Sequence, residues 1–401
     1  MMCRNRNIRG AFQTFIGYNS ELRHILIRLE FIKATMTNAV RLIPTLAIAA
    51  SLAAFQLSAE EITSQFEEVN AEEATENQIE TQSITLYAPN NLVPVEILHQ
   101  FTSETGILVE QHVYNNVRDP RQTSEAVNNV DLVILPYSFY PGQSTIEHYF
   151  QPIQLEKLTH KQEFKQELAG ANLAPYNQYS VPLLIEGMGV ATNADMLPAS
   201  MVTSWSDLLD AQWSGQLMFP NDSQSMLSVA LMELGYSINN ASQKELTEAR
   251  QWLESLASNT AFLADNDPEM HFLSGRVSIG LLTNAQAYEA NIEGGNIDMV
   301  WPSEGAILDV YALSILEHSE NHELAYELMN YLTRKETQLA LAKHTGLTPN
   351  IEELDIDNDT LVVIPNRVIE QGQFKLTTPN NRFSYESSFR LVKNQLRLQA
   401  E

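Results

Sequence analysis

Ile84-Thr85-Leu86-Tyr87, the run from Pro94 to Phe101, and Gly106-Ile107-Leu108-Val109 decide the fold of this chain. The first is a short extended apolar run. Pro94 then opens a segment in which Ile97, Leu98 and Phe101 recur at helical spacing and share one face. Gly106 stops that helix, and a second apolar run begins at once. Strand, helix, glycine and strand in this order predict a parallel α/β unit. Working outward, Asp131-Leu132-Val133-Ile134-Leu135 reads as a strand buried on both faces. Leu217-Met218-Phe219 precedes a predicted helix from about Gln224 to Leu234. Val277-Ser278-Ile279-Gly280-Leu281-Leu282 precedes another that begins near Asn284, and residues 322–345 read as two helices joined near Arg334. There is no internal repeat.

Upstream of this block the composition changes twice. Residues 60–82 carry eight glutamates and no basic residue, the pattern of a flexible acidic leader with little apolar area to offset ordering entropy. Before it, residues 42–57 form an apolar stretch of 16, preceded by Arg41 and followed by Leu57-Ser58-Ala59. That length is short for a membrane span and suits a secretory signal over 36–59, with a retained anchor helix as the alternative. Met36 stands where such a signal starts, so residues 1–35 read as an over-long N-terminal extension.

The chain of 401 residues carries 24 basic and 50 acidic groups, a net charge of −26. Such a surface repels phosphate backbones and argues against nucleic acid as a partner; a small cationic solute fits better, and solubility in a salty compartment accounts for the same acidity equally well. Cleavage after Ala59 leaves 17 basic and 48 acidic residues, a net of −31, and removes Cys3, the only cysteine. A cysteine nucleophile and a thiolate metal site are then excluded. His318 and His322 lie four apart, but the glutamate between them is not directly after the first, so the zinc-protease pattern fails. Asp355-Ile356-Asp357-Asn358-Asp359 starts like a calcium loop, yet Thr360 and Asn366 occupy the positions that need glycine and glutamate. No nucleophile elbow and no glycine-rich phosphate loop is present.

Several short stretches stand in a fixed order. They run from Leu98-His99-Gln100-Phe101-Thr102-Ser103-Glu104-Thr105-Gly106-Ile107 through Asp131-Leu132-Val133 to Tyr179-Ser180-Val181-Pro182. Val202-Thr203-Ser204-Trp205-Ser206-Asp207-Leu208 and Leu234-Gly235-Tyr236-Ser237 follow, then Val300-Trp301-Pro302-Ser303-Glu304-Gly305 and Thr345-Gly346-Leu347-Thr348-Pro349-Asn350. Together they resemble the periplasmic spermidine/putrescine-binding proteins of ABC importers, over roughly residues 84–398. The resemblance implies a periplasmic-binding-protein fold: two α/β lobes joined by a hinge, with the ligand cleft between them. By the family's layout, lobe 1 comprises 83–186 and 311–354, and lobe 2 comprises 187–310 and 355–401.

The same resemblance implies where a polyamine would be held, by carboxylates for its ammonium groups and aromatic rings for its methylenes. After the first strand the family has a tryptophan and a tyrosine; here Pro89-Asn90-Asn91-Leu92 stands, with Asn91 in that place. Tyr137, Ser138, Phe139 and Tyr140 match the family's hydroxyl and aromatic pair. Asp222 matches an acidic residue, while Ser225 replaces a second one and Thr283 a tryptophan. Asp309 and Tyr311 interchange the family's aromatic and acid, Glu186 replaces a glycine, and Lys375 aligns with a glutamine. Asp222 also suits a helix cap.

The implied function is capture of a polyamine in the periplasm for an inner-membrane ABC permease, with no enzymatic step, metal or cofactor. Two alternatives keep the fold. In one, the protein reports occupancy to a membrane sensor; in the other, the departures at Asn91, Ser225 and Thr283 fit a different small solute.

Overall fold

Extended apolar runs alternate with helices closed by glycine, and that alternation builds one twisted sheet with helices against it. The computed structural model describes residues 82–115, 129–169, 173–352, 354, 360–376 and 379–398. The expected N-terminal extension, signal peptide and acidic leader, and the Asp355–Asp359 run, lie outside the described residues.

Strand β1 (Ser83–Pro89), helix α1 (Val95–Thr105) and strand β2 (Leu108–Tyr114) form the parallel unit read from the sequence. Leu98 and Phe101 are buried on the inner face of α1. Gly106 ends the helix at φ 77°, its N–H donating to the Thr102 carbonyl at 2.8 Å. A left-handed residue closes the last turn this way, and glycine adopts it without steric cost.

The remaining strands are β3 (Leu132–Pro136), β4 (Val181–Asn193), β5 (Leu217–Pro220), β6 (Thr260–Ala264), β7 (Ile279–Thr283), β8 (Ile297–Val300), β9 (Ile307–Ile315), β10 (Thr348–Pro349) and β11 (Gln373–Phe374). Their order in the sheet is β2-β1-β3-β9-β4-β7-β5-β6. Strands β8 and β10 pair with β4, and β11 pairs with β9. The longer helices are α2 (Ser223–Glu233), α3 (Gln243–Ser255), α4 (Asn284–Ile292), α5 (His322–Leu332), α6 (Lys335–Thr345) and α7 (Pro379–Leu398).

Strand β4 is the crossing element. It pairs with β9 from Val181 to Met188, then with β7 from Met188 to Thr192 and with β8 from Val190 to Asn193. The chain therefore passes from one half of the sheet to the other at Glu186-Gly187-Met188. The antiparallel register sets Glu186 directly opposite Asp309 of β9. Opposed residues on one face have Cβ atoms about 5 Å apart, so two carboxylates share this crossing.

The core divides accordingly. Phe101, Leu132, Leu184, Leu313 and Met329 pack together at one end of the sheet. Trp205, Phe219, Leu227, Trp252 and Phe389 pack at the other. Beside the crossing, Ile364 and Val368 join Tyr137, Tyr140, Tyr176 and Val310.

Several of the ordered motifs are structural staples. Trp205 is fully buried, and its indole N–H donates to the Gly305 carbonyl at 3.1 Å, linking two distant motifs. Gly305 has φ 107°, and a Cβ there would come within 2.5 Å of the Gln371 carbonyl oxygen, so a side chain does not fit. Asn350 donates to the Pro182 carbonyl at 2.8 Å and accepts from the Lys165 N–H at 3.0 Å. Asn284 accepts from the Gly187 N–H at 2.8 Å and donates to the Gly346 carbonyl at 2.8 Å, tying three segments together at the crossing.

A carboxyl pair sits close to the Trp205 staple. Glu233, hydrogen-bonded to Glu304 and partly removed from water, is pushed up from 4.5 to about 7, with burial the larger cause and Glu304 the next. The folded chain thus holds a proton that the unfolded chain has released between these values. Its contribution is present at low pH and lost as pH rises from about 4.5 to 7. Urea unfolding at pH 5 and pH 8 should show lower stability at the higher pH, and Glu233→Gln should flatten the difference. An unchanged pH dependence in that variant would contradict the assignment.

Candidate functional site

The carboxyl end of β1 turns at Pro89 and Asn90, beside the end of β2, and leads to the β4–β9 crossing. A cavity of about 330 Å³ opens there, lined by Asn90, Asn91, Glu186, Tyr288, Glu289 and Tyr311, among others. An adjoining cavity of about 350 Å³ shares Pro89, Asn90 and Tyr311 and adds Tyr114, Pro136 and Phe139. Openings of this size at the strand ends suit a small solute.

Asp309 lies behind the cavity wall, opposite Glu186 in the β4–β9 register. It is 3% exposed, and it accepts from the Ser138 hydroxyl at 2.5 Å, the Ser138 N–H at 3.3 Å and the Val310 N–H at 2.9 Å. Lys375 Nζ lies 3.5 Å from Asp309 Oδ2. Burial alone would lower the Lys375 pKa, but Asp309, Glu186 and Asp222 together outweigh it and the net shift is upward. The ammonium is therefore held in its charged form. Glu186, half-buried, is raised above the ordinary carboxylate range by burial, against the pull of Lys375; Asp309 adds to the rise and the Thr283 hydroxyl opposes it. Tyr311 is held well above 10, first by the charge of Glu186 and then by burial, so its phenol stays protonated.

The other expected residues divide into three groups. Asn91 and Phe139 line the cavities, and Asn91 takes φ 61°, a left-handed turn conformation that asparagine tolerates better than most residues. Asp222 is exposed and caps α2, accepting from the Ser225 N–H at 2.7 Å, while its charge still reaches Lys375. The rest require correction. Ser225 is buried beneath the first turn of α2 and Thr283 is the buried cap of α4, its hydroxyl accepting from the Gln286 N–H at 3.3 Å. Tyr137 and Tyr140 are fully buried. The Tyr137 hydroxyl pairs with Ser180 at 2.9 Å and the Tyr140 hydroxyl donates to the Ala312 carbonyl at 3.1 Å, with the Tyr137 ring tilted against Tyr176 and the Tyr140 ring edge-on to it. Their polar ends are satisfied inside the protein, so these rings belong to the core and do not reach the cavity.

Tyr114, Tyr288 and Glu289 were not anticipated. Tyr114 stands opposite Pro89 in the β1–β2 register, which brings a ring to the place where the loop after β1 has none. That pairing was the available signal, because Tyr114 is the last residue of a strand parallel to β1. Tyr288 and Glu289 come from α4, and the nearness of that helix to the end of β1 is not visible in sequence.

A separate cavity of about 290 Å³ is lined by Leu158, Phe164, Lys165, Val181 and Asn350. Its charged groups are lysines, and Lys165 is buried and bonded to Asn366 at 2.6 Å. It repels a cation.

Comparison with known proteins agrees with this architecture. A family model described as bacterial extracellular solute-binding protein matches residues 96–360. This chain is a member of that family. The solute-binding protein is 30% identical over 319 residues to the spermidine/putrescine-binding periplasmic protein of Escherichia coli, covering 77% of this chain and 91% of that one. It is 28% identical over 273 residues to spermidine/putrescine-binding periplasmic protein 1 of Haemophilus influenzae, covering 67% and 76%. Among solved structures, the spermidine/putrescine ABC transporter substrate-binding protein PotD of Streptococcus pneumoniae superposes with a TM-score of 0.70 at 20% identity, over 79% of this chain and all of that one. The fold of this solute-binding protein is thus the periplasmic-binding-protein type, two α/β lobes joined at crossing strands. No helix among the described residues is long and apolar enough to cross a membrane.

Proposed function

We propose that this protein captures a polyamine of the putrescine or spermidine type in the periplasm and presents it to the membrane permease of an ABC importer. The observation that carries this reading is the cavity at the β4–β9 crossing lined by Glu186 and Tyr311, with an adjoining cavity that shares Tyr311 and adds the rings of Phe139 and Tyr114. A half-buried carboxylate offers an ammonium group a charge-assisted hydrogen bond, and flanking aromatic faces suit both methylenes and cations. The names of the curated relatives support the same ligand class. The lobes are proposed to comprise 83–186 with 311–354 and 187–310 with 355–401, closing on the solute by a hinge motion at the crossing strands. The protein makes and breaks no covalent bond.

Isothermal titration of the purified protein with putrescine, spermidine and norspermidine tests the reading. Saturable heat is expected from at least one, with a matching rise in thermal stability. Ligand at a hundredfold excess over Kd adds about 2.7 kcal/mol. Silence with all three amines would defeat the polyamine reading.

A further inference from the structure

The cavity of about 290 Å³ at the start of β4 has no part in the polyamine reading, and its chemistry is the reverse of that at the crossing. Leu158, Phe164, Leu168 and Val181 give it an apolar wall. The ionisable residues that line it are Lys161 and Lys165; among the described residues no carboxylate does. Lys165 is 2% exposed, so its ammonium is withdrawn from bulk water. Its three N–H groups need acceptors there, and the described residues supply one, Asn366 Oδ1 at 2.6 Å. Glu167 and Glu352 act on this lysine only at longer range, opposing the downward pull of burial on its pKa. A buried charge without a counter-ion is costly, and an anion taken from solution removes that cost. Lys161 brings a second ammonium to the same opening, donating to the carbonyl of Leu155, which also lines the cavity, at 2.9 Å.

We propose that this cavity is a second ligand site, for a small monocarboxylate carrying a short apolar chain: the carboxylate meets Lys165 and Lys161, and the chain lies against Leu158, Phe164, Leu168 and Val181. Phosphate, doubly charged and strongly hydrated, would leave the apolar wall uncovered, and a cation would meet two like charges. The backbone of Lys165 is already fixed. Its N–H donates to Asn350 Oδ1 at 3.0 Å, and Asn350 in turn donates to the Pro182 carbonyl at 2.8 Å. Little ordering is then left for binding to supply. The site shares no lining residue with the cavities at the crossing and does not depend on the polyamine reading.

Titration of the amine-free protein with hexanoate, butyrate, hexanol and inorganic phosphate, followed by thermal shift and ligand-observed NMR, tests the proposal. Hexanoate should bind with a Kd of about a millimolar or tighter. Butyrate, shorter by two methylene groups, should bind roughly tenfold more weakly. Hexanol, which lacks the charge, and phosphate, which lacks the chain, should each bind at least about tenfold more weakly than hexanoate. Lys165→Gln keeps a donor for Asn366 and removes the charge, and it should weaken hexanoate binding by about tenfold or more. No binding of hexanoate at concentrations on the order of ten millimolar, hexanol or phosphate matching hexanoate, or wild-type affinity in Lys165→Gln would overturn the proposal. If circular dichroism shows that variant unfolded, the comparison of hexanoate with hexanol decides alone. Failure here leaves the polyamine reading standing, since that reading is tested with amines at the crossing.

Discussion

Glu186→Gln is expected to weaken polyamine binding by roughly ten- to a hundredfold. A hydrogen bond between charged groups contributes about 1.5–3 kcal/mol, and each 1.4 kcal/mol is about tenfold in affinity. Glu186 lines the cavity, stands opposite Asp309 and is half-buried, so a ligand ammonium would meet it away from bulk water. The same residue makes binding sensitive to acid. Burial raises the Glu186 pKa, so it takes up a proton at a higher pH than an ordinary glutamate. Acidification through that range should weaken polyamine binding. In Glu186→Gln the acid dependence should be reduced along with the affinity. Titration calorimetry of both proteins across the acidic range measures both effects, and wild-type affinity in the variant would remove Glu186 from the site.

Trp205→Ala costs about 3–5 kcal/mol of folding stability, the range for truncating a large buried aromatic residue. Trp205 is fully buried among Phe219, Leu227 and Trp252, and its indole N–H satisfies the Gly305 carbonyl. Truncation leaves a cavity and removes that donor. Gly305 itself is pinned against Gln371, so the neighbouring backbone is poorly placed to close the gap. Urea unfolding should show a lower midpoint at an unchanged slope. A loss below about 1 kcal/mol would mean that this end of the sheet repacks freely.

Much of the fold was legible because each early element announces itself locally. Pro94, the face of Ile97, Leu98 and Phe101, and the left-handed Gly106 specify α1 within a dozen residues. Asp222 and Thr283 were placed at helix starts, and both are caps. The candidate site was legible only in part. Glu186, Phe139 and Tyr311 line the cavities, whereas Tyr137 and Tyr140, from the same short run as Phe139, do not. Over the 3-10 turn Tyr137–Phe139 the direction of each ring depends on the elements packed around it. Tyr176 and Ser180 draw Tyr137 inward, and neither is near it in sequence.

The amino-acid order by itself determined the alternation of strands and helices, their caps and the acidic balance, because these depend on neighbours a few positions away. The tertiary structure decided which carboxylates meet, since the pairing of Glu186 with Asp309 is a matter of register between strands more than a hundred residues apart. It also decided the position of Lys375, which the chain delivers to Asp309 only through the pairing of β11 with β9. Charges far apart along the chain act strongly on one another only after folding brings them close and displaces the water between them.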